Sequence, residues 1–284
     1  MMQLDHRLFE AHQYALINPL QIDRRIAQLW PCEPIVPKEL RGQEHLFPYL
    51  LRLGDMSADA RLAALDETVR YAREHDRLPF SALLVSGAGP EHVRNQLARG
   101  LVRKVDGESM LFRYYDPRVW NALTWILSAP QLDALLGPVQ FWTAPSAKRG
   151  NWRTYESSGR GNDGLPLAPG QVHAIASLAS INRVIDRLLR VDHGFDDYGV
   201  SKQVYDEMVN ADALGLTDAD DQEAFAFVSI TQPPGIHESP KYQEAIRIAR
   251  LEPGAYRSIV TAALEDEENE SPLKQQDQGV WQHG

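Results

Sequence analysis

A segment poor in aliphatic residues, 146–170, separates two parts of the sequence that have different hydrophobic patterns. Glycine, serine, proline and arginine are frequent in this segment, which is typical of a linker or a long loop. Within it, Trp152 and Tyr155 indicate a short strand or an anchor that packs on a neighbouring surface. The sequence therefore predicts four regions: a first lobe over 1–145, the linker over 146–170, a second lobe over 171–268 and a disordered polar tail over 269–284.

Strand-like and helix-like patterns alternate in the first lobe. Ser57 is a good N-cap for a helix over 57–76, and Pro90 suits the first position of the next helix. The other predicted helices cover 117–127 and 130–136, and the predicted strands cover 14–17, 78–85, 110–115 and 139–142. Alternation of this kind with short connections favours an α/β or α+β lobe.

The second lobe has a helical pattern throughout. From Gln171 to Leu189, apolar residues recur at the helical period. An acidic run that begins at Glu265, followed by glutamine-rich polar residues, is typical of a solvated and frayed tail. We therefore expect an all-helical second lobe, with further helices over 199–213, 218–230, 239–250 and 255–267.

The charge balance restricts the classes of partner. The 284 residues include 29 Lys and Arg against 39 Asp and Glu, which gives a formal net charge of −10. This excess disfavours a nucleic-acid binder, whose affinity depends on cationic contacts to phosphate, and it disfavours docking on an anionic membrane. The sequence has no apolar run of about 18 residues and no apolar core of a signal peptide near its N-terminus. Since its single cysteine, Cys32, cannot form an internal disulfide, the expected compartment is the cytoplasm.

Motifs for catalysis or cofactor binding are weak in this sequence. The turn 87–89 has two glycines, but His92 stands where a dinucleotide fingerprint needs its third, which favours a tight turn into a helix. Cys32 lies between two prolines beside an acidic residue, an environment that does not favour a reactive thiolate. The segment 193–197, with one histidine and two adjacent aspartates, could bind a hard cation or form a polar loop between helices. We predict no catalytic, cofactor-binding or metal-binding residue, while carboxylates that meet only in three dimensions stay an alternative.

The segment 111–120 is the most informative part of the sequence. In the predicted strand, Arg113 and Tyr115 share one face because side chains alternate. Asp116 then occupies the N-cap position of the next helix, whose first residue is a proline. Arg118 is a cation in the first turn, where the helix dipole disfavours it. Two interpretations follow: both arginines form an ion-pair clasp with a carboxylate such as Asp116, or one of them faces a partner protein.

The residues FRYYDPRV, at positions 112–119, resemble a motif of the type VI secretion effector chaperone family, which is catalogued as domain of unknown function 4123. Two flanking segments resemble the family's pattern in order and spacing: YALI at 14–17, and LLGPV at 135–139 with Trp142 close behind. The resemblance covers residues 10–145. Asn18 departs from the pattern, since many members have an aspartate there, but both residues form turns well.

The resemblance implies an adaptor that is not an enzyme. Such a protein holds a toxic effector in the cytoplasm of the producing cell and loads it onto the valine-glycine-repeat spike protein (VgrG). The partner-binding residues that this interpretation points to are Arg113, Tyr115, Asp116 and Arg118. Two other functions remain as alternatives: a hydrolase-type enzyme whose site is not visible in the sequence, and an immunity-type protein that binds one toxin.

Overall fold

The computed structural model of the chain describes residues 4–19, 22, 30–75, 77–105, 108–146, 151–158, 166–191 and 197–270. These residues form two compact units. The first unit extends to Leu178, and the second comprises most of the residues from Ala179 onward. The first unit therefore continues through the described residues of the predicted linker.

A six-stranded antiparallel sheet is the centre of the first unit. The strands of this unit are β1 (Tyr14–Ile17), β2 (Cys32–Pro34), β3 (Tyr49–Arg52), β4 (Phe80–Ser86), β5 (Val102–Val105), β6 (Glu108–Leu111), β7 (Val139–Pro145) and β8 (Trp152–Glu156). The sheet has the order β2-β3-β1-β4-β7-β8, while β5 and β6 form a separate two-stranded hairpin. Because all neighbouring strands run antiparallel, the first unit is α+β, which was one of the two predicted classes.

Helices pack on both faces of the sheet. The helices of this unit are α1 (His6–Glu10), α2 (Ala58–His75), α3 (Pro90–Gly100), α4 (Pro117–Ile126), α5 (Ala129–Leu136) and α6 (Pro169–Ala176). On one face, Phe9 of α1 and Leu65 of α2 join a buried core with sheet residues such as Leu83. On the other face, Trp142 of β7 packs on Trp120 of α4, with ring centroids 4.6 Å apart. The sheet is therefore buried on both sides, which is why its central strands are almost wholly apolar.

Local sequence signals account for several of these boundaries. The Ser57 hydroxyl accepts a hydrogen bond from the backbone N–H of Ala60 at 3.2 Å, so it caps α2 as predicted. Pro90 is the first residue of α3, also as predicted. The short edge strand β2 contains Pro34, and sheet edges are where a strand tolerates proline.

Strand β8 and helix α6 lie inside or beside the predicted linker and belong to the first unit. Trp152 is buried and Tyr155 packs edge-on against Trp120, so both residues anchor β8 in the way their residue types suggested. Gln171 of α6 donates to the carbonyl of Ile126 at 2.8 Å and exchanges amide hydrogen bonds with Gln131 at 2.8 and 2.9 Å. These contacts hold α6 against α4 and α5.

The second unit is helical. Its helices are α7 (Leu178–Val191), α8 (Asp197–Ala213), α9 (Ala219–Thr231), α10 (Pro240–Ala249) and α11 (Ala255–Glu270), which confirms the all-helical prediction. The single helix expected from Gln171 to Leu189 is instead two, because α6 ends at a cap on Ser177 before α7 begins. The predicted tail beyond residue 270 lies outside the described residues. In the described part of the chain, no helix has the length and apolarity needed to cross a membrane.

Buried carboxylates organise this second unit. Asp221 of α9 is fully buried and accepts hydrogen bonds from the backbone N–H groups of Gly254 and Arg257, each at 2.8 Å. It therefore satisfies donors at the start of α11 from a different helix. Glu223 of α9 is also buried and pairs with the guanidinium of Arg183 on α7, with its Nε 3.0 and 3.1 Å from the two carboxylate oxygens.

Candidate functional site

Asp116 is the centre of the segment that the sequence singled out. Its Oδ1 accepts from the backbone N–H of Arg118 at 3.1 Å, so it is the N-cap of α4. The same oxygen accepts from Nε of Arg118 at 3.3 Å, and Oδ2 accepts from Nη2 at 3.2 Å. Nη2 of Arg113 lies 3.6 Å from Oδ2. The predicted ion-pair clasp is therefore present, with Asp116 as the shared carboxylate.

The path of the chain before Asp116 differs from the prediction. The strand expected over 110–115 is present at Met110 and Leu111 but wrong beyond them, because β6 ends at Leu111 and the chain turns between Arg113 and Asp116. Phe112, Tyr114 and Tyr115 are all buried instead of alternating between two faces. Three aromatic side chains in four residues cannot share one buried face of a strand, and the turn lets each of them reach the core.

Tyr114 fixes this turn to helix α3. Its hydroxyl donates to the carbonyl oxygen of Leu97 at 2.8 Å, and its ring lies 5.8 Å from that of Trp142. Gly100, at the end of α3, makes the close approach possible, because a Cβ there would lie 3.0 Å from the Tyr114 ring and 3.1 Å from Leu135. The motif is therefore tied to the helix that precedes it as well as to the helix that follows it.

The four predicted partner-binding residues divide into two pairs by exposure. Tyr115 and Asp116 are buried, and desolvation raises the pKa of the Tyr115 phenol. The side chains of Arg113 and Arg118 are 39% and 48% exposed. The Arg113 guanidinium carbon lies 6.0 Å from the centre of the Tyr115 ring, a distance at which cation–π attraction contributes. The structure thus presents two partly exposed cations, which are held in position by the buried carboxylate of Asp116 and, for Arg113, by the ring of Tyr115.

An open groove of about 990 Å³ lies next to this motif and was missed in the sequence analysis. One wall is the loop around a short 3-10 helix (Lys38–Leu40), the second is α3 and the third is the β5–β6 hairpin. Met110 and Leu111 of β6 are large apolar side chains that are exposed at this groove. The lining residues are Val36, Pro37, Lys38, Glu39, Leu40, Asn95, Ala98, Arg99, Val102, Ser109, Met110 and Leu111.

A signal for the hairpin was present in the sequence. Asp106-Gly107 stands between two short apolar-containing segments, and such a dipeptide is typical of a two-residue hairpin turn. These two residues lie outside the described part, but Val105 pairs with Glu108 on either side of them. No local sequence pattern indicates that the loop 36–40 faces the hairpin, since the two segments are far apart in the sequence.

The remaining candidates for chemistry are the Cys32 thiol and the segment with one histidine and two adjacent aspartates. Burial raises the pKa of the Cys32 thiol to about 12, so the thiolate is disfavoured. No group of three or more histidine, cysteine or acidic side chains suited to a metal ion occurs among the described residues. The candidate cation segment 193–197 falls largely outside the described residues, and no side chain of it is described.

A hydrogen-bonded series of three side chains in the second unit was also missed in the sequence. Nε2 of His237 lies 2.8 Å from the Ser229 hydroxyl, and Nδ1 lies 3.1 Å from the Tyr256 hydroxyl. The imidazole stacks on the ring of Phe225, with centroids 3.7 Å apart. Burial lowers the pKa of His237, so the neutral imidazole is favoured. Both ring nitrogens are engaged within the helical core, which makes this series a packing element.

Residues 14–134 match the profile of a protein family whose description is "Domain of unknown function (DUF4123)". The matched segment begins at β1, ends within α5 and contains the whole 112–119 motif and every residue that lines the groove. No curated protein and no solved structure matches the chain. The comparison therefore agrees with the motif's resemblance to domain of unknown function 4123 and, because that description assigns no activity, goes no further.

Proposed function

We propose that this chain is an adaptor that binds a secreted type VI effector protein in the cytoplasm of the producing cell and delivers it to the VgrG spike. The observation that carries the proposal is the open groove, which lies wholly within the segment that matches the family. The resemblance of the 112–119 motif to effector chaperones supplies the identity of the partners. The proposal involves neither nucleic acid nor membrane, in keeping with the net charge of −10.

The chemistry of the groove suits a polypeptide. Most of its lining side chains are apolar or small, and exposed apolar side chains grouped on a surface are typical of sites for protein partners. Met110 and Leu111 are consecutive residues of β6, and both side chains have large exposed fractions. Lys38, Glu39 and Arg99 add charges among the lining residues. A segment that buries its own apolar side chains there would remove these exposed surfaces from water.

The exposed arginines of the motif are further contact residues in this proposal. Arg113 and Arg118 stand a few residues beyond Leu111 in the chain and hold their guanidinium groups on a shared carboxylate. A guanidinium that is already oriented loses less conformational freedom when it meets a partner's carboxylate or carbonyl oxygen. In this proposal Arg113 and Arg118 contact the partner, and Tyr115 and Asp116 hold them in position.

Co-expression tests the proposal directly. The tagged full chain would be produced with the effector protein and with VgrG from the same bacterium, and affinity purification would show which proteins stay bound. We expect a complex of all three proteins. Retention of the effector without VgrG would support the immunity-type alternative instead, and retention of neither protein would contradict the adaptor proposal.

A pair of matched variants locates the binding surface. Leu111→Glu places a charge in the groove at a side chain that is 43% exposed, whereas Leu251→Glu makes the same change at a side chain of the helical unit that is 80% exposed. Because neither leucine is buried, both variants should fold. We expect Leu111→Glu to weaken effector capture by about tenfold or more, the cost of desolvating a charge at an apolar contact. Equal capture by the two variants would rule out the groove as the binding surface.

A further inference from the structure

The β5–β6 hairpin has unpaired edges. Among the described residues, β5 and β6 pair only with each other and not with the six-stranded sheet. A strand edge with free N–H and C=O groups is a template for pairing with another chain. The strand β6 also forms a wall of the groove.

The register of the hairpin identifies which backbone groups of β6 point away from β5. The N–H of Phe112 donates to the carbonyl of Leu101 at 2.7 Å. The backbone N–H and C=O groups of Phe112, and those of Met110 two residues earlier, therefore point towards β5. Ser109 and Leu111 therefore direct their N–H and C=O groups outwards. In the described part of the chain, no hydrogen bond occupies these outward groups.

The groove lies along this outward edge. Ser109, Met110 and Leu111 are consecutive and all three line the groove. Ser109 and Leu111 share one face of the hairpin with Val102, which pairs with Leu111 and also lines the groove. Since neighbouring side chains of a strand point to opposite faces, a groove that Met110 also lines covers this face and reaches the outer edge of β6. A further strand placed there would find both backbone partners and space for its side chains.

The charges beside this edge favour an acidic occupant. Lys38 and Arg99 are the cations of the lining, against one carboxylate from Glu39. Cations therefore outnumber carboxylates locally in a chain whose net charge is −10.

We propose that an extended segment of the effector, apolar with at least one acidic side chain, adds to the free edge of β6 as a third strand and fills the groove. The backbone of Ser109 and Leu111 supplies the pairing groups, and Lys38 and Arg99 supply the charge complementarity. This inference rests on the proposed function, because the effector is its occupant. It adds the mode of binding: main-chain hydrogen bonds give affinity and the groove selects side chains.

Amide hydrogen exchange on the full chain, free and in complex with the effector, tests the mode. The outward amides of Ser109 and Leu111 should exchange fast in the free protein and at least about tenfold more slowly in the complex, because they gain hydrogen bonds. The inward amide of Phe112, which is already bonded, should change far less. A complex that forms while the Ser109 and Leu111 amides keep their free rates would overturn strand addition and leave the adaptor function intact. Failure of any complex to form would overturn both.

A proline variant provides a second readout. Ser109→Pro removes an outward N–H that the hairpin itself does not use, a position where an edge strand tolerates proline. Ser109→Ala is the matched control, because it removes the hydroxyl and keeps the N–H. We expect Ser109→Pro to weaken effector binding by about tenfold, because one hydrogen bond is lost and a buried carbonyl group of the effector is left without a donor. Ser109→Ala should bind like the unaltered chain. If Ser109→Pro folds and binds equally well, β6 is not the pairing edge. If this variant fails to fold, the amide exchange rates of Ser109 and Leu111 in the unaltered chain test strand addition instead.

Discussion

Asp116 and Arg118 are joined three times within one helical turn: the carboxylate of Asp116 accepts from the backbone N–H, from Nε and from Nη2 of Arg118. One side chain thereby ends the loop, begins α4 and orients a guanidinium whose side chain is 48% exposed. Since the carboxylate is itself buried, its loss affects both the stability of the chain and the position of the cation.

Replacement of Asp116 should destabilise the first unit. We expect Asp116→Ala to lower the free energy of unfolding by about 1–2 kcal/mol, because α4 loses its N-cap. Asp116→Asn is the matched control, since asparagine caps a helix equally well but cannot form the ion pairs. Urea unfolding followed by tryptophan fluorescence measures both. An Asp116→Ala protein as stable as the unaltered chain would show that the cap contributes nothing.

Replacement of Arg118 should act on binding and not on folding. Arg118→Ala removes a half-exposed cation while leaving the backbone cap in place, so its melting temperature should stay within about 2 °C of the unaltered chain. We expect effector capture to fall by about tenfold. Arg73→Ala, at an exposed arginine of α2 on the opposite face of the sheet, is the control and should capture normally. Native melting together with full capture by Arg118→Ala would exclude a contact with the effector.

The same substitution at two glycines should have opposite effects on stability. Gly100→Ala brings a Cβ to 3.0 Å from the Tyr114 ring and 3.1 Å from Leu135, which should cost about 1–3 kcal/mol through overpacking. At Gly199, the third residue of α8, a Cβ would have no atom within 4 Å apart from its chain neighbours and the helix's own backbone, so Gly199→Ala should stabilise by up to about 0.5–1 kcal/mol. Denaturant midpoints measure both, and destabilisation of equal size would contradict the packing described for Tyr114.

The helical unit should lose stability in mild acid through His237. Burial holds the pKa of His237 below its ordinary value of 6.5, so below about pH 6.5 the unfolded chain binds the proton more readily than the folded chain. Stability from this group is therefore full above pH 6.5 and is lost as the pH falls through the lowered pKa. Urea midpoints at about pH 7.5 and 5.5 should differ less in His237→Gln than in the unaltered chain. Equal differences in the two proteins would contradict this linkage.

The thiol of Cys32 should be slow to react in the folded chain. Its pKa of about 12 leaves almost no thiolate at pH 8, whereas an unfolded cysteine has a pKa of about 8.5. We expect alkylation by iodoacetamide at pH 8 to be at least about 100-fold slower in buffer than in urea. Mass spectrometry of timed samples follows the reaction, and equal rates in the two solvents would refute the burial argument.

Local signals explain what the sequence could predict. The N-caps Ser57 and Asp116 and the first-turn proline Pro90 act within a few residues, and each appears where expected. The clasp between Asp116 and its two arginines was foreseeable for the same reason. The strand predicted over 110–115 failed because burial of three aromatic side chains depends on α3 and β7, which the local pattern does not contain.

The groove could not be predicted because its walls are brought together by the tertiary fold. The loop 36–40 meets α3 and the hairpin only in the folded chain. The sequence alone therefore does not show which surface the charges of Lys38 and Glu39 belong to. The short strands β2 and β3 were missed because Pro34 and Pro48 interrupt the apolar pattern around them. Pairing with β1 places β3 in the sheet, and β2 pairs with β3 at its edge.

The reciprocal amide pair of Gln131 and Gln171 affects how this chain can be divided for laboratory work. A fragment that stops where the Gly- and Ser-rich segment begins would lack both α6 and the outermost strand, β8, and would leave the Trp120 ring without the neighbour it has in Tyr155. A fragment that extends to Leu178 keeps these partners. Because the pair is formed by uncharged groups, its attachment should also resist changes of ionic strength that weaken surface ion pairs.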